Sequence, residues 1–229
     1  MPPHERVVPY QPHHRDAVRA IYADTAFFGA PVEAYFDDRT LFADLGIDSY
    51  LEHYADYAWV AESDGSVVGY IVGCPRGDGE VRRHNLARLP RILGRLAAGR
   101  YRVGRKTLSY VWDQAIAAAR GELIEIHSDL YPANLHINLL PTHRGHGLGT
   151  ALLRAYLARL SSDGVPGVHA VTTDKNEAAV HLYLRFGFTV LAEARTAAWK
   201  RHVGGPLRLI AFGLRLPAGT SAQETVQNP

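Results

Sequence analysis

Leu139-Leu140-Pro141-Thr142-His143-Arg144-Gly145-His146-Gly147-Leu148-Gly149 divides a β-type run over residues 135–140 from an amphipathic helical pattern that continues through about Leu160. A glycine-rich turn between a strand and a helix is a place where successive backbone N–H groups can converge on an anion. Side chains there would block the approach, and the helix dipole adds roughly half a positive charge at its start. A pyrophosphate here would be held mainly by the backbone, over Arg144, Gly145, His146, Gly147, Leu148, Gly149 and Thr150. The spacing is neither G-x-x-x-x-G-K-[ST] nor G-x-G-x-x-G, so nucleoside triphosphatase and Rossmann readings lose their main support. The plain alternative is a turn in which glycine merely closes a tight connection.

Downstream, residues 167–173 read as a strand, 176–186 as a helix closed by Gly187, and 188–192 as another strand, which makes the order β-α-β. Asn176 can cap that helix, and Ala179 and Tyr183 share one face a turn apart. Residues 197–203 and 207–212 read as a last antiparallel pair, and 217–229, without apolar periodicity, as a frayed tail.

Upstream, residues 7–10 are β-type and 12–23 carry a helical apolar face. Residues 27–57 are rich in aromatic and acidic side chains and read as short helices and loops without an assigned role. Residues 58–61 and 67–74 flank Asp64-Gly65, a hairpin signal that predicts antiparallel pairing. Between Arg82 and Lys106 stand nine Arg or Lys and no Asp or Glu, interleaved with Leu86, Leu89, Leu93 and Leu96. This predicts a basic amphipathic helix, with Pro90 in a first turn or at a kink, laid on the core by its leucine stripe. A lid, a cradle for phosphates or a patch for an anionic partner are the functional alternatives. Residues 111–120 read as a helix and 123–127 as a strand.

The 229 residues, 47% of them apolar and 21% charged, fit an ordinary globular chain of one domain, 1–229, with a helical insertion at about 78–122. A formal net charge of +2 gives no overall support to nucleic-acid binding. The single cysteine, Cys74, lies in an apolar run and reads as a structural thiol in a reducing compartment. No apolar run approaches the roughly 20 residues needed to cross a bilayer, and no leader pattern opens the chain, so a cytoplasmic protein without membrane partner is expected.

Arg144, Gly147 and Gly149 fill the defining places of R-x-x-G-x-G, and Asn176, Ala179, Leu182, Tyr183, Gly187 and Phe188 match N-x-x-A-x-x-L-Y-x-x-x-G-F. In this order the two resemble the signature motifs of the GNAT superfamily of N-acetyltransferases. The resemblance implies an α/β (α+β) fold whose mixed, largely antiparallel sheet is flanked by helices and splayed at a bulged strand before the phosphate loop. It implies acetyl-coenzyme A as co-substrate, with Leu139 and Leu140 giving backbone contacts to the pantetheine arm, Asn176 and Ala179 beside it, and the Tyr183 phenol protonating the departing thiolate. Residues 131–141 are also similar to the acetyltransferase-like domain of animal O-GlcNAcases and its stand-alone bacterial relatives; the chain, with no glycosidase domain, would be one of the latter.

Acetyl transfer to an amine needs an unprotonated nitrogen, and an alkyl ammonium is neutral only about 0.04% of the time at pH 7. Positions where the family places a base align with Ala133 and Leu135, which cannot ionise. His136 is adjacent, but strand alternation turns it to the other face, which favours a structural histidine. Asp174 is the expected base or substrate orienter, a turn or cap residue being its alternative, with Asp129 and Tyr131 next. No metal is expected. A small-molecule amine acceptor is expected over a protein tail, because the insertion would wall the groove. The competing readings are a catalytically silent acetyl-coenzyme A-binding module and nucleic-acid binding through 82–106.

Overall fold

The computed structural model describes residues 4–217; the expected frayed tail lies, from residue 218 on, outside the described residues. The hairpin forms as expected. β2 (Ala58–Ser63) and β3 (Ser66–Cys74) pair antiparallel through Asp64 and Gly65, both at positive φ (+48° and +79°), the conformation a tight two-residue hairpin turn requires. β1 (Glu5–Pro9) pairs with β2, and β4 (Ala133–Leu139) with the free edge of β3. With β5 (Gly167–Thr173), β6 (Thr189–Thr196) and β7 (Leu207–Arg215) they make a seven-stranded sheet in the order β1-β2-β3-β4-β5-β7-β6. All neighbours are antiparallel except β4 and β5, whose parallel pairing needs a crossover.

That crossover is α6 (Leu148–Ser162), which buries Leu152, Leu153, Tyr156 and Leu160 against Ile71, Leu135, Val168 and Phe212 on one face of the sheet. On the opposite face lie α1 (Arg15–Asp24), α2 (Arg39–Gly46) and α3 (Asp48–His53), with Val18, Ile21, Ile47 and Tyr50 packed on Val60, Tyr70 and Val72. Cys74 is buried in this second cluster.

Two expected strands are absent. Residues 123–127 run as an unpaired connection, because β3 is already flanked by β2 and β4. Within 197–203 lies the single-turn α8 (Lys200–Val203); β7 takes β6 and β5 as its neighbours instead.

The stretch expected as an insertion holds α4 (Asp78–Ala97) and α5 (Arg105–Ala119). Pro90 stands in the interior of α4, not in its first turn. Its leucine stripe is not the buried face: Leu86 and Leu93 are 60% and 58% exposed. Val81 and Ile92 are buried instead, and two arginines turn inward. Arg88 reaches Asp48 and Glu52 at 3.1 Å each, and Arg95 reaches Asp44 at 2.7 Å. The acidic side chains of α2 and α3 thus dock α4 by charge, and part of the basic run is neutralised within the protein.

Candidate active site

β4 pairs with β3 over six residues but with β5 only at Ala133↔Val168 and Asn134↔His169. Beyond those rungs the two parallel strands separate, as the resemblance implied, although the β3–β4 register runs without a bulge. The Leu140 N–H donates to the Val68 carbonyl at 2.9 Å. Alternation therefore turns the main chain of Ile137 and Leu139 toward the gap, and Leu140, expected to offer a ligand contact, is engaged by β3 instead. The Leu139 carbonyl accepts from Arg144 Nε at 3.1 Å.

A short 3-10 turn, Pro141–His143, leads into the loop, where Gly145 (φ +84°) and Gly147 (φ +92°) take left-handed conformations and Gly147 caps α6. Buried Leu148 anchors the first turn in the core. Among the described residues, no amide from Gly145 to Thr150 is donated to another group of the protein. These N–H groups stand at the positive end of a fifteen-residue helix, where an anion would be favoured. A Cβ at Gly149 would meet Leu139 Cδ1 at 3.3 Å, so glycine keeps loop and strand close. The Thr150 hydroxyl accepts from Arg185, while the His146 side chain is exposed near Glu5.

α7 (Glu177–Arg185) starts as read: the Asn176 side chain accepts from the Ala179 N–H at 3.3 Å. Tyr183 is 4% exposed, with Phe188 and Phe212 at 5.2 and 5.6 Å between ring centroids, and burial raises its phenol above its ordinary value.

One cavity of about 710 Å3 gathers Leu139, Arg144, Gly145, Gly147, Gly149, Thr150, Asn176 and Ala179. A more open depression of about 620 Å3 continues past Arg154 and Arg185. Leu140, His146, Leu148, Asp174 and Tyr183 do not line the cavity. Asp174 is tied to β7: its N–H donates to the Arg208 carbonyl at 2.9 Å and its Oδ1 accepts from the Arg208 N–H at 3.2 Å, the geometry of its strand-end alternative. Asp129 is also outside the cavity, and the Tyr131 carbonyl pairs with His169 Nδ1 at 2.8 Å.

His136 does line it. Alternation separates His136 from Ala133 and Leu135 as expected, but those two face the α6 core and His136 faces the groove. Its Nε2 is 3.1 Å from the Tyr50 hydroxyl, which also accepts from Asn134 Nδ2 at 3.2 Å. Asn134 Nδ2 further donates to Asp78, whose Oδ2 lies 3.2 Å from His169 Nε2. Desolvation within the groove lowers the His136 imidazole below its ordinary value although the residue is exposed at the groove surface, with His169 acting in the same direction against the opposing pull of Asp78. Burial alone would raise the Asp78 carboxyl, but the hydrogen bonds from His169 and Asn134 prevail and lower it.

The far wall is aromatic: Tyr22, Phe28, Tyr35, Phe42, Tyr110 and Trp199. Three of them, Phe28, Tyr35 and Phe42, come from the aromatic-rich stretch that carried no assigned role, Tyr22 comes from α1 and Tyr110 from α5. Among the described residues no group of three or more His, Cys, Asp or Glu side chains could hold a metal ion, and no helix is long and apolar enough to cross a membrane.

The sequence model of the Acetyltransferase (GNAT) family matches residues 15–188. A crystal structure of SsHAT superposes with a TM-score of 0.60 at 25% identity, over 92% of this chain and 98% of that one. yncA from Salmonella typhimurium, solved with its cofactor acetyl-CoA, gives 0.57 at 19% identity over 93% and 94%. A GNAT superfamily phosphinothricin acetyltransferase from Sinorhizobium meliloti, in complex with acetyl-CoA, gives 0.57 at 16% over 96% and 92%. The last two, by their identities, speak to the fold alone.

Proposed function

We propose, from the premise that this chain belongs to the GNAT family of acetyltransferases, that it moves the acetyl group of acetyl-coenzyme A directly to the amine of a small molecule. The observation that carries the reading is the set of undonated amides from Gly145 to Thr150, opening at the end of the unpaired β4–β5 gap. The diphosphate lies on those amides, with Arg144 and Arg185 adding charge. The pantetheine arm runs in the gap against the main chain of Ile137 and Leu139, and the small Ala179 leaves it room. The nucleotide end extends toward Arg154.

The amine lone pair attacks the thioester carbon, the C–N bond forms, and the C–S bond breaks. His136, not Asp174, takes the proton the nitrogen loses. In the tautomer whose Nε2–H donates to the Tyr50 oxygen, Nδ1 carries a free lone pair and makes no hydrogen bond among the described residues. The lowered imidazole is neutral at pH 7, the form a base needs. Tyr183, kept protonated by burial and outside the lining in the free protein, turns its phenol into the cavity beside Ala179 and Leu182 and gives the departing thiolate its proton, so coenzyme A leaves as the thiol.

The likeness over 131–141 supports a place among stand-alone relatives of the O-GlcNAcase acetyltransferase-like domain, and the lone, buried Cys74 supports a cytoplasmic site of action. Tyr110, supplied by the insertion, supports a groove walled for a small acceptor. Calorimetry with acetyl-coenzyme A followed by thiol release over an amine panel tests the reading. Binding with turnover is expected; binding without turnover of any amine would mark a silent module, and no binding would remove the assignment.

A further inference from the structure

Resting on the reading above, we propose that the acceptor is an aromatic primary amine, an aryl- or arylalkylamine without a second positive charge. The two ends of the cavity differ in chemistry. One is the phosphate loop with Arg144 and Arg185; the other is the wall of Tyr22, Phe28, Tyr35, Phe42, Tyr110 and Trp199. Tyr22 and Phe42 stack with centroids 4.7 Å apart and planes at 17°, Phe42 meets Tyr35 at 6.1 Å, and Tyr35 meets Tyr110 at 5.0 Å. Rings from α1, α2, α5 and the connection between α1 and α2 thus form one continuous surface, suited to a flat apolar guest presented edge-on or offset.

Phe28 is placed in that wall at a cost. Its φ of +50° is a conformation bulky residues rarely adopt, held by the turn that Phe27 and Ala30 close. Strain retained at a cavity wall is a common mark of a ligand contact.

Charge narrows the class. Among the described residues, none that lines the cavity is an aspartate or glutamate. A polyamine or a lysine-like acceptor would bring a second ammonium into this wall with no carboxylate to receive it, and a desolvated, unpaired charge is strongly unfavourable. Arg185 is donated to Thr150 and Arg144 Nε to the Leu139 carbonyl, while Arg144 Nη1 and Nη2 lie against Gly29, next to Phe28, so the charge at the edge of the aromatic wall is positive and repels a second ammonium. The Tyr22 and Tyr110 hydroxyls have no hydrogen-bond partner among the described residues, and burial pushes the Tyr110 phenol up to about 12 and that of Tyr22 well above its ordinary value. Both remain neutral; the Tyr22 hydroxyl lies against Gly46 of α2, which leaves Tyr110 as the donor able to receive a ring hydroxyl. His136 lines the same cavity, where the amine of such a guest loses its proton as the C–N bond forms and the C–S bond breaks.

The test measures thiol release from acetyl-coenzyme A with phenethylamine, tyramine, ethylamine, spermidine, lysine amide and glutamate, alongside calorimetric titration of acetyl-coenzyme A. The expected kcat/KM for phenethylamine and tyramine exceeds that for the other four by about tenfold or more. Tyr110→Leu and Phe28→Ala raise the KM for phenethylamine by about tenfold while the Kd for acetyl-coenzyme A stays within about twofold. Calorimetry of phenethylamine against the coenzyme A-saturated protein gives a second readout that needs no turnover, with binding expected. Preference for spermidine, lysine amide or glutamate, equal rates for all, or no binding of phenethylamine overturns the proposal while leaving the transferase intact. Failure of acetyl-coenzyme A itself to bind overturns both, and is distinguished by the titration.

Discussion

Gly147→Ala isolates the backbone of the phosphate loop. Gly147 has φ +92° and ψ −10°, and a Cβ added there meets nothing within 4 Å, so the substitution introduces no clash. What remains is the left-handed penalty for an L-residue, about 1–2 kcal/mol. If the free protein keeps its conformation, the whole penalty appears as lost stability, about 2–8 °C in Tm for a chain of this size. If the loop relaxes, the penalty falls on ligand binding, and the Kd for acetyl-coenzyme A rises by roughly 5- to 30-fold. The two routes share one sum: with acetyl-coenzyme A bound, the variant is less stable than the wild type by about 1–2 kcal/mol. Gly164→Ala is the control, since Gly164 has φ +70°, equally open surroundings, and a place after α6 far from the loop. It should lose similar stability and bind acetyl-coenzyme A with unchanged affinity. Thermal melts with and without saturating ligand, joined to calorimetry, give both terms. A Gly147→Ala protein with wild-type affinity and a wild-type melt in saturating ligand would mean that the left-handed backbone at Gly147 serves neither the fold nor the ligand.

His136→Gln should lower kcat/KM by about 10²–10⁴-fold. Because the imidazole is lowered, the wild-type profile should rise with pH through a midpoint below about 6.5 and then level, and that limb should be missing in the variant; an unchanged acid limb would exclude His136 as the base. Tyr183→Phe should reduce kcat with little change in acetyl-coenzyme A affinity, read by steady-state kinetics and calorimetry, since the phenol lies outside the cavity lining. Arg88→Ala strands buried carboxylate charge, Arg88 and Asp48 side chains being 10% and 2% exposed. A loss of about 3 kcal/mol is expected, at the low end for a broken buried pair because Arg15 and Arg19 remain on Asp48. Arg91→Ala, at an exposed and distant pair, should change stability by less than about 1 kcal/mol in the same denaturant titration.

Local signals in the sequence located the elements that build the phosphate end. Asp64-Gly65 can hardly be other than a hairpin turn, Asn176 declares a helix start, and Gly145, Gly147 and Gly149 imply backbone that must approach an anion. What local signals could not supply was which side of an element meets the rest of the protein. The leucines of α4 have helical spacing, yet its inward face is chosen by Asp44, Asp48 and Glu52, far away in the chain. Alternation on β4 correctly separated His136 from Leu135, but period two gives relative faces only, and the groove lies on the side of His136. The runs at 123–127 and 197–203 have β-type composition, but composition does not supply a partner: β3 and β7 already have two neighbours each. The aromatic wall draws on separate segments, none of which carries a motif by itself.

If the amides from Gly145 to Thr150 grip a diphosphate, amide NMR of isotope-labelled protein titrated with acetyl-coenzyme A will show it residue by residue. The largest shifts and the slowed hydrogen exchange should fall on Gly145 to Thr150, with Ile137 and Leu139 following. Saturating ligand that leaves those six amides unmoved, or shifts centred on another part of the protein, would contradict it.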